Sequence, residues 1–115
     1  MQSNQAYKLS ARITLYPSEM GGRIKPVYSG YRPSFVFNSK IHYSGEIDLL
    51  GKDELKPGET SKALVRLLPA QTLKTLKPNK SFTISEGNKI IGTGLIESVE
   101  LTEDAPALTR TKNKS

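Results

Sequence analysis

Ser81–Gly94 reads SFTISEGNKIIGTG. Phe82 and Ile84 alternate with Ser81, Thr83 and Ser85, the period of two that puts every second side chain on one face of a strand. Glu86-Gly87-Asn88-Lys89 then centres a turn on Gly-Asn, a pair that supplies the positive φ angles a tight hairpin needs. A returning strand is expected around Lys89 to Leu101. Gly92 and Gly94 lie inside it, where glycine marks a bulge, a sharp bend or a close backbone approach. A barrel corner accounts for both without a ligand.

The same period extends outward from this hairpin. Leu9, Ala11, Ile13 and Leu15 alternate with Lys8, Ser10, Arg12 and Thr14, and Ile41, Tyr43, Ile47 and Leu49 alternate with His42, Ser44, Glu46 and Asp48. Further strands are expected at Ser34 to Asn38 and around Lys62 to Leu68, with a proline-glycine turn at Lys56-Pro57-Gly58-Glu59. Gln71 to Lys77 has room for one helical turn, confined by Pro69 and Pro78. About six strands with almost no helical pattern predict an all-β domain, a small barrel or sandwich. Residues 1–8 and 103–115 are polar and are expected to be flexible ends, the latter basic, around a folded unit at 9–102.

Composition narrows the function. The 115 residues suit one small domain, and the absence of cysteine excludes disulfides and thiolate metal sites. No early apolar run or secretory pattern is present, so a cytoplasmic protein without a membrane segment is expected. The formal charge is +6 and unevenly spread: residues 1–45 carry six cations against the single acid Glu19. Such a field suits an anionic partner such as nucleic acid, and equally an ordinary solvated face.

The stretch Met20–Phe37, MGGRIKPVYSGYRPSFVF, concentrates these cations among aromatic residues. Structurally, Gly21 and Gly22 form a turn with unusual backbone angles, Pro26 and Pro33 stiffen the loop, and Tyr28, Tyr31, Phe35 and Phe37 seat it on the barrel. Functionally, Arg23, Lys25 and Arg32 beside exposed tyrosines form a surface for phosphates and stacked bases. Other candidates are weaker. His42 stands alone on the polar side of its strand, Glu46 and Asp48 read as surface acids, and Asn79-Lys80-Ser81 matters only in a secreted chain. No residue pattern supports catalysis or a cofactor.

Taken in order, GGRIKPVYSGYRPSFVF, SGEIDL, LKPGET, FTISEGNKIIGTG and LIESVEL resemble the third, C-terminal β-barrel domain of elongation factor Tu. The resemblance covers roughly Ala11 to Leu101 and implies a closed six-stranded antiparallel barrel. In that family the barrel helps hold the T arm of aminoacyl-tRNA and contacts the nucleotide-exchange factor and the other domains. By position, the resemblance implies RNA-contacting roles for Arg23, Ser44 and Gly87. Three further family positions are changed here, to Ile24, Ser34 and Pro69, which alters half of the expected tRNA surface.

A G-x-x-x-x-G-K-[ST] phosphate cradle is missing, and the Asn-Lys pairs at Asn79, Asn88 and Asn113 lack the aspartate that would read guanine. GTP binding and hydrolysis by this chain are therefore not expected. Two roles stand beside each other: a non-catalytic module binding tRNA or another structured RNA, and a protein-interaction module that mimics the elongation factor as a decoy, regulator or toxin-immunity partner. The candidate RNA residues are Arg23, Lys25, Arg32, Ser44 and Gly87, with Gly21, Gly22 and Pro33 shaping the turn.

Overall fold

A computed structural model describes residues 6–37, 42–67 and 76–102 of the chain. Its strands in chain order are β1 (Ala6–Leu15), β2 (Val27–Tyr28), β3 (Ser34–Val36), β4 (Tyr43–Leu49), β5 (Glu54–Leu55), β6 (Thr60–Leu67), β7 (Ser81–Glu86) and β8 (Lys89–Thr102). Six of them close into an antiparallel barrel in the order β1-β6-β4-β3-β7-β8, with β8 returning to β1. Closure leaves the barrel without a free sheet edge. The short β2 and β5 pair with each other outside the barrel, and neither shows in the sequence as a strand.

The alternation read from the sequence decides which side chains fill the barrel. Leu9, Ala11, Ile13 and Leu15 point inward from β1, Ala63, Val65 and Leu67 from β6, Ile47 and Leu49 from β4, and Phe35, Phe82, Ile84 and Ile96 from the strands opposite; all are buried. The rings of Phe35 and Phe37 both pack against Phe82, at centroid distances of 6.0 and 5.2 Å. Gly94 lies opposite Phe82 in the β7–β8 ladder, and a Cβ there would run into the Phe82 ring. A small barrel has a fixed interior volume, so a large ring on one strand requires an absent side chain on the next. At Gly92 the obstacle is backbone: a Cβ would lie 2.5 Å from the Thr14 carbonyl oxygen. Both glycines thus answer to close approach. The bulges in β8 fall at other residues, where Ile91 and Glu97 are each skipped by the register.

The hairpin differs from expectation in one detail. Gly87 has φ 62°, while Asn88 is not among the residues with positive φ. The turn therefore needs its special angle at the first central position alone, the pattern that selects glycine there. Strand β1 also begins earlier than the sequence suggested. Ala6, Tyr7 and Lys8, expected in a flexible N-terminus, pair with Thr102, Leu101 and Glu100 of β8. Lys8 stands between Glu100 and Arg66, and Tyr7 packs against the core, which extends the ladder to Ala6. The expected helical turn at 71–77 lies largely outside the described residues, as do Ile41, Pro69 and the tail 103–115.

At Lys56–Glu59 the proline-glycine turn closes with the Glu59 N–H donating to the Lys56 carbonyl at 3.0 Å. The Glu59 carboxylate accepts the Lys56 N–H at 2.9 Å. That backbone hydrogen bond holds its pKa below the usual carboxylate value, with Lys52 and Lys56 adding to the effect.

Candidate nucleic-acid interface

Residues directly opposite one another in antiparallel strands share a face. Ser34 is opposite Ser44 on one side and Ser85 on the other, so three serines from β4, β3 and β7 form a row. It lies on the outer face, since their neighbours Phe35 and Ile84 point inward. Ser44 is exposed, Ser34 half-buried and Ser85 buried. Continuing the register two residues toward the hairpin sets Glu46, Arg32 and Gly87 level with one another. Tyr31 extends the same alignment through a bridge to Ile47. Pro33, buried between Arg32 and Ser34, keeps this lead-in to β3 extended.

Among the cations of this face, Arg32 is exposed and paired with Glu46 at 3.3 Å. Arg66 holds Asp48 at 2.9 Å and approaches Glu46 at 3.9 Å, so the two acids of β4 are charge-matched surface groups. His42 is exposed.

The loop between β1 and β2 is built by its own backbone. Met20 and Gly22 both donate to the Pro17 carbonyl at 3.0 Å, and Gly21 takes φ 91° after a single 3-10 turn at Ser18–Met20. Gly22 needs no unusual φ, contrary to the expectation for the pair; it is buried so tightly against the backbone of Tyr16 and Pro17 that a Cβ would collide with it. The Ser18 hydroxyl donates to the Arg23 carbonyl at 2.6 Å, and the Lys89 ammonium reaches the Gly22 carbonyl at 3.4 Å, so the loop rests beside the hairpin.

Arg23 occupies the junction. Its guanidinium pairs with the Glu86 carboxylate, which also accepts the Tyr31 hydroxyl, and it lies 5.2 Å from the Tyr31 ring centroid. Its Nε donates to the Lys25 carbonyl at 3.1 Å, and its side chain is only 22% exposed. Burial, then the hydrogen bond and negative charge of Glu86, raise the Tyr31 pKa far above the ordinary phenol value. Arg23 is thus a paired cation within the fold. Lys25, by contrast, is exposed, and its ammonium has no ion-pair partner among the described residues.

Beside this network lies an open groove of about 370 Å³ lined by Arg23, Lys25, Pro26, Val27, Tyr28, Ser29 and Tyr31. Tyr28, expected to seat the loop on the barrel, is 56% exposed, because β2 turns it away from the buried Val27. The structure therefore gathers Ser44, Arg32 and Gly87 along one flank and ties Arg23 and Lys25 to the same hairpin. Sequence reasoning missed Glu86 and Ser85 as participants; Tyr31, expected to seat the loop on the barrel, does pack against the core and also holds Glu86. The acid immediately before Gly87 was the one available signal.

No protein-family model matches the chain. Over 96 residues, 81% of its length, the chain is 33% identical to elongation factor Tu 2 of Streptomyces avermitilis. The chain is related to a segment of elongation factor Tu. Its closed six-stranded barrel is consistent with that factor's third domain. The chain spans 23% of the relative's length. Within this elongation-factor-Tu-type barrel, the glycine-glycine turn, the Gly30-Tyr31-Arg32-Pro33 stretch and the Gly87 hairpin meet at one end, which gives their shared appearance in the sequence a spatial reason.

Proposed function

We propose that this elongation-factor-Tu-like barrel is a non-catalytic module that binds tRNA or another structured, translation-related RNA in the cytoplasm. The observation that carries the proposal is the row joining Ser44, Ser34 and Ser85 across three strands beside the Gly87 turn. Of the three hydroxyls Ser44 is exposed and Ser34 half-buried, and these two are the ones that can hydrogen-bond phosphates and ribose 2′-hydroxyls, with the buried Ser85 closing the row behind them. A glycine turn with open space above it lets an RNA backbone come close. Arg32 and Lys89 flank the Gly87 turn, Lys25 lies on the groove beside the hairpin, and such cations supply the counterion-release contribution to RNA affinity.

The test is a salt series of anisotropy titrations on tRNA with the parent chain and with Ser34→Glu and Ser44→Glu. Both positions lie on the outer face, Ser44 exposed and Ser34 half-buried, and melting temperatures of the variants, measured alongside, separate lost binding from lost stability. Each is expected to bind at least tenfold more weakly, since a carboxylate facing a phosphate replaces a hydrogen bond with repulsion. A parent that fails to bind tRNA at low salt, or variants that bind as it does, would overturn the proposal.

A protein partner that normally contacts elongation factor Tu is the second role, favoured by one observation. Ile24 is 86% exposed and Met20 73% exposed in the loop beside Arg23, an unusual cost for a surface meant only for phosphates. Pull-down from lysate with and without ribonuclease separates the two: RNA-dependent capture follows from the first, ribonuclease-resistant capture of a translation protein from the second.

A further inference from the structure

The groove beside the hairpin has features that the row of serines does not use. Pro26 and the buried Val27 give it an apolar floor, and the Tyr28 ring stands exposed at its side. The Ser29 hydroxyl accepts the Leu49 N–H at 2.9 Å, which leaves its own proton to donate into the groove. At about 370 Å³ the groove lies near the small end of ligand pockets, room for a group of mononucleotide size.

Charge selects what enters. Glu86, at one end, is neutralised by Arg23. Glu54, opposite Tyr28 in the β2–β5 pair, is offset by Lys56 at 3.7 Å. Among the described residues Lys25 is left as an uncompensated charge on the rim of the groove that the exposed Tyr28 also lines. An unpaired ammonium next to an exposed ring and a hydroxyl donor is complementary to a flat aromatic group carrying an anion. Bases freed from a helix are held in this way, stacked on aromatic side chains with their phosphates on cations.

We infer that this groove holds one unstacked nucleotide of the bound RNA, its base against the Tyr28 ring and its phosphate on Lys25. The inference rests on the RNA-binding role proposed above and adds a preference: RNA with an unpaired nucleotide binds better than a continuous duplex. Tyr31 and Arg23 line the groove and also hold Glu86, next to Gly87, so the groove adjoins the duplex-facing row.

The experiment compares two RNA hairpins, one fully paired and one carrying a single bulged adenosine, titrated against the parent, Tyr28→Ala, Tyr28→Phe and Lys25→Ala. The parent is expected to prefer the bulged hairpin by roughly tenfold, within the range that stacking one base on an aromatic ring provides. Tyr28→Ala removes the preference and leaves affinity for the paired hairpin unchanged, while Tyr28→Phe keeps it. Lys25→Ala lowers the salt slope on the bulged hairpin by about one. Equal binding of both hairpins by the parent, or a preference that survives Tyr28→Ala, overturns the nucleotide groove while leaving the RNA role standing. If neither hairpin binds, the RNA role falls, and a titration with adenosine monophosphate followed by amide chemical shifts judges the groove by itself. Shifts confined to Lys25–Tyr31 and abolished in Tyr28→Ala sustain it; their absence overturns it.

Discussion

The Arg23 guanidinium and the Glu86 carboxylate, 63 residues apart in the chain, form an ion pair where the β1–β2 loop meets the tip of the β7–β8 hairpin. Tyr31 donates its hydroxyl to the same carboxylate. Three segments that share no local structure are tied together through one acid. Removal of either cation or acid leaves the others with an unmatched, partly buried polar group, a larger loss than that of an exposed surface pair.

Arg23→Met is therefore expected to destabilise the barrel by about 1–2 kcal/mol, and Glu86→Gln by a similar amount. For a domain of this size that is a fall of roughly 4–8 °C in melting temperature per kcal/mol. A double-mutant cycle measured by urea unfolding should give a coupling energy of at least about 0.5 kcal/mol. Additive losses would mean that the two side chains contribute independently.

The same network predicts an alkaline limit. Tyr31 has a raised pKa in the fold, whereas an unfolded tyrosine ionises near its ordinary value of about 10. Below that value both states keep the proton and the contribution is fully present. Above it the unfolded chain loses its proton while the folded chain retains one, so stability falls as pH rises beyond about 10. Spectrophotometric titration should show Tyr31 ionising well above the ordinary phenol range, read as the difference between the parent and Tyr31→Phe. In Tyr31→Phe that late step should be gone, and identical absorbance changes in parent and variant above about pH 10 would contradict this assignment.

Gly94→Ala forces a methyl group into the Phe82 ring, which is itself held by Phe35 and Phe37. Overpacking of this kind costs about 1–3 kcal/mol. Adding Phe82→Leu removes the obstructing ring, so the second substitution should cost less in the Gly94→Ala background than in the parent. Equal cost in both backgrounds would show that the two positions do not compete for space.

At the hairpin tip the expected loss has a different origin. Gly87→Ala meets open space but must hold φ near 62°, which an L side chain adopts at a cost of about 1–3 kcal/mol. Asn88→Ala, one residue on and without a positive φ, should stay within about 0.5 kcal/mol of the parent. Urea midpoints with unchanged m-values would read both effects. An equal loss at the two positions would mean that both central residues carry the turn's strain.

Periodicity alone determined much of this protein. The alternation in Leu9–Leu15, Ile47–Leu49 and Phe82–Ile84 assigned inner and outer faces, because a strand's side chains alternate whatever it pairs with. Glycine at Gly87 located the hairpin for an equally local reason. The sequence was silent wherever a partner came from far along the chain. The pairing of β2 with β5 involves two residues on each side, too few to show a period. Gly94 was legible only as a bulge, a bend or a close approach, and the bulged register of the β7–β8 hairpin is what sets it against Phe82. The candidate site divides in the same way. Arg23 reads in sequence as a free cation in a basic loop, and it is the return of β7 and β8 that brings Glu86 to meet it. Ser44 and Gly87 become neighbours on one surface because β3 lies between β4 and β7, an order fixed by how six strands close and not by any of the three strands alone.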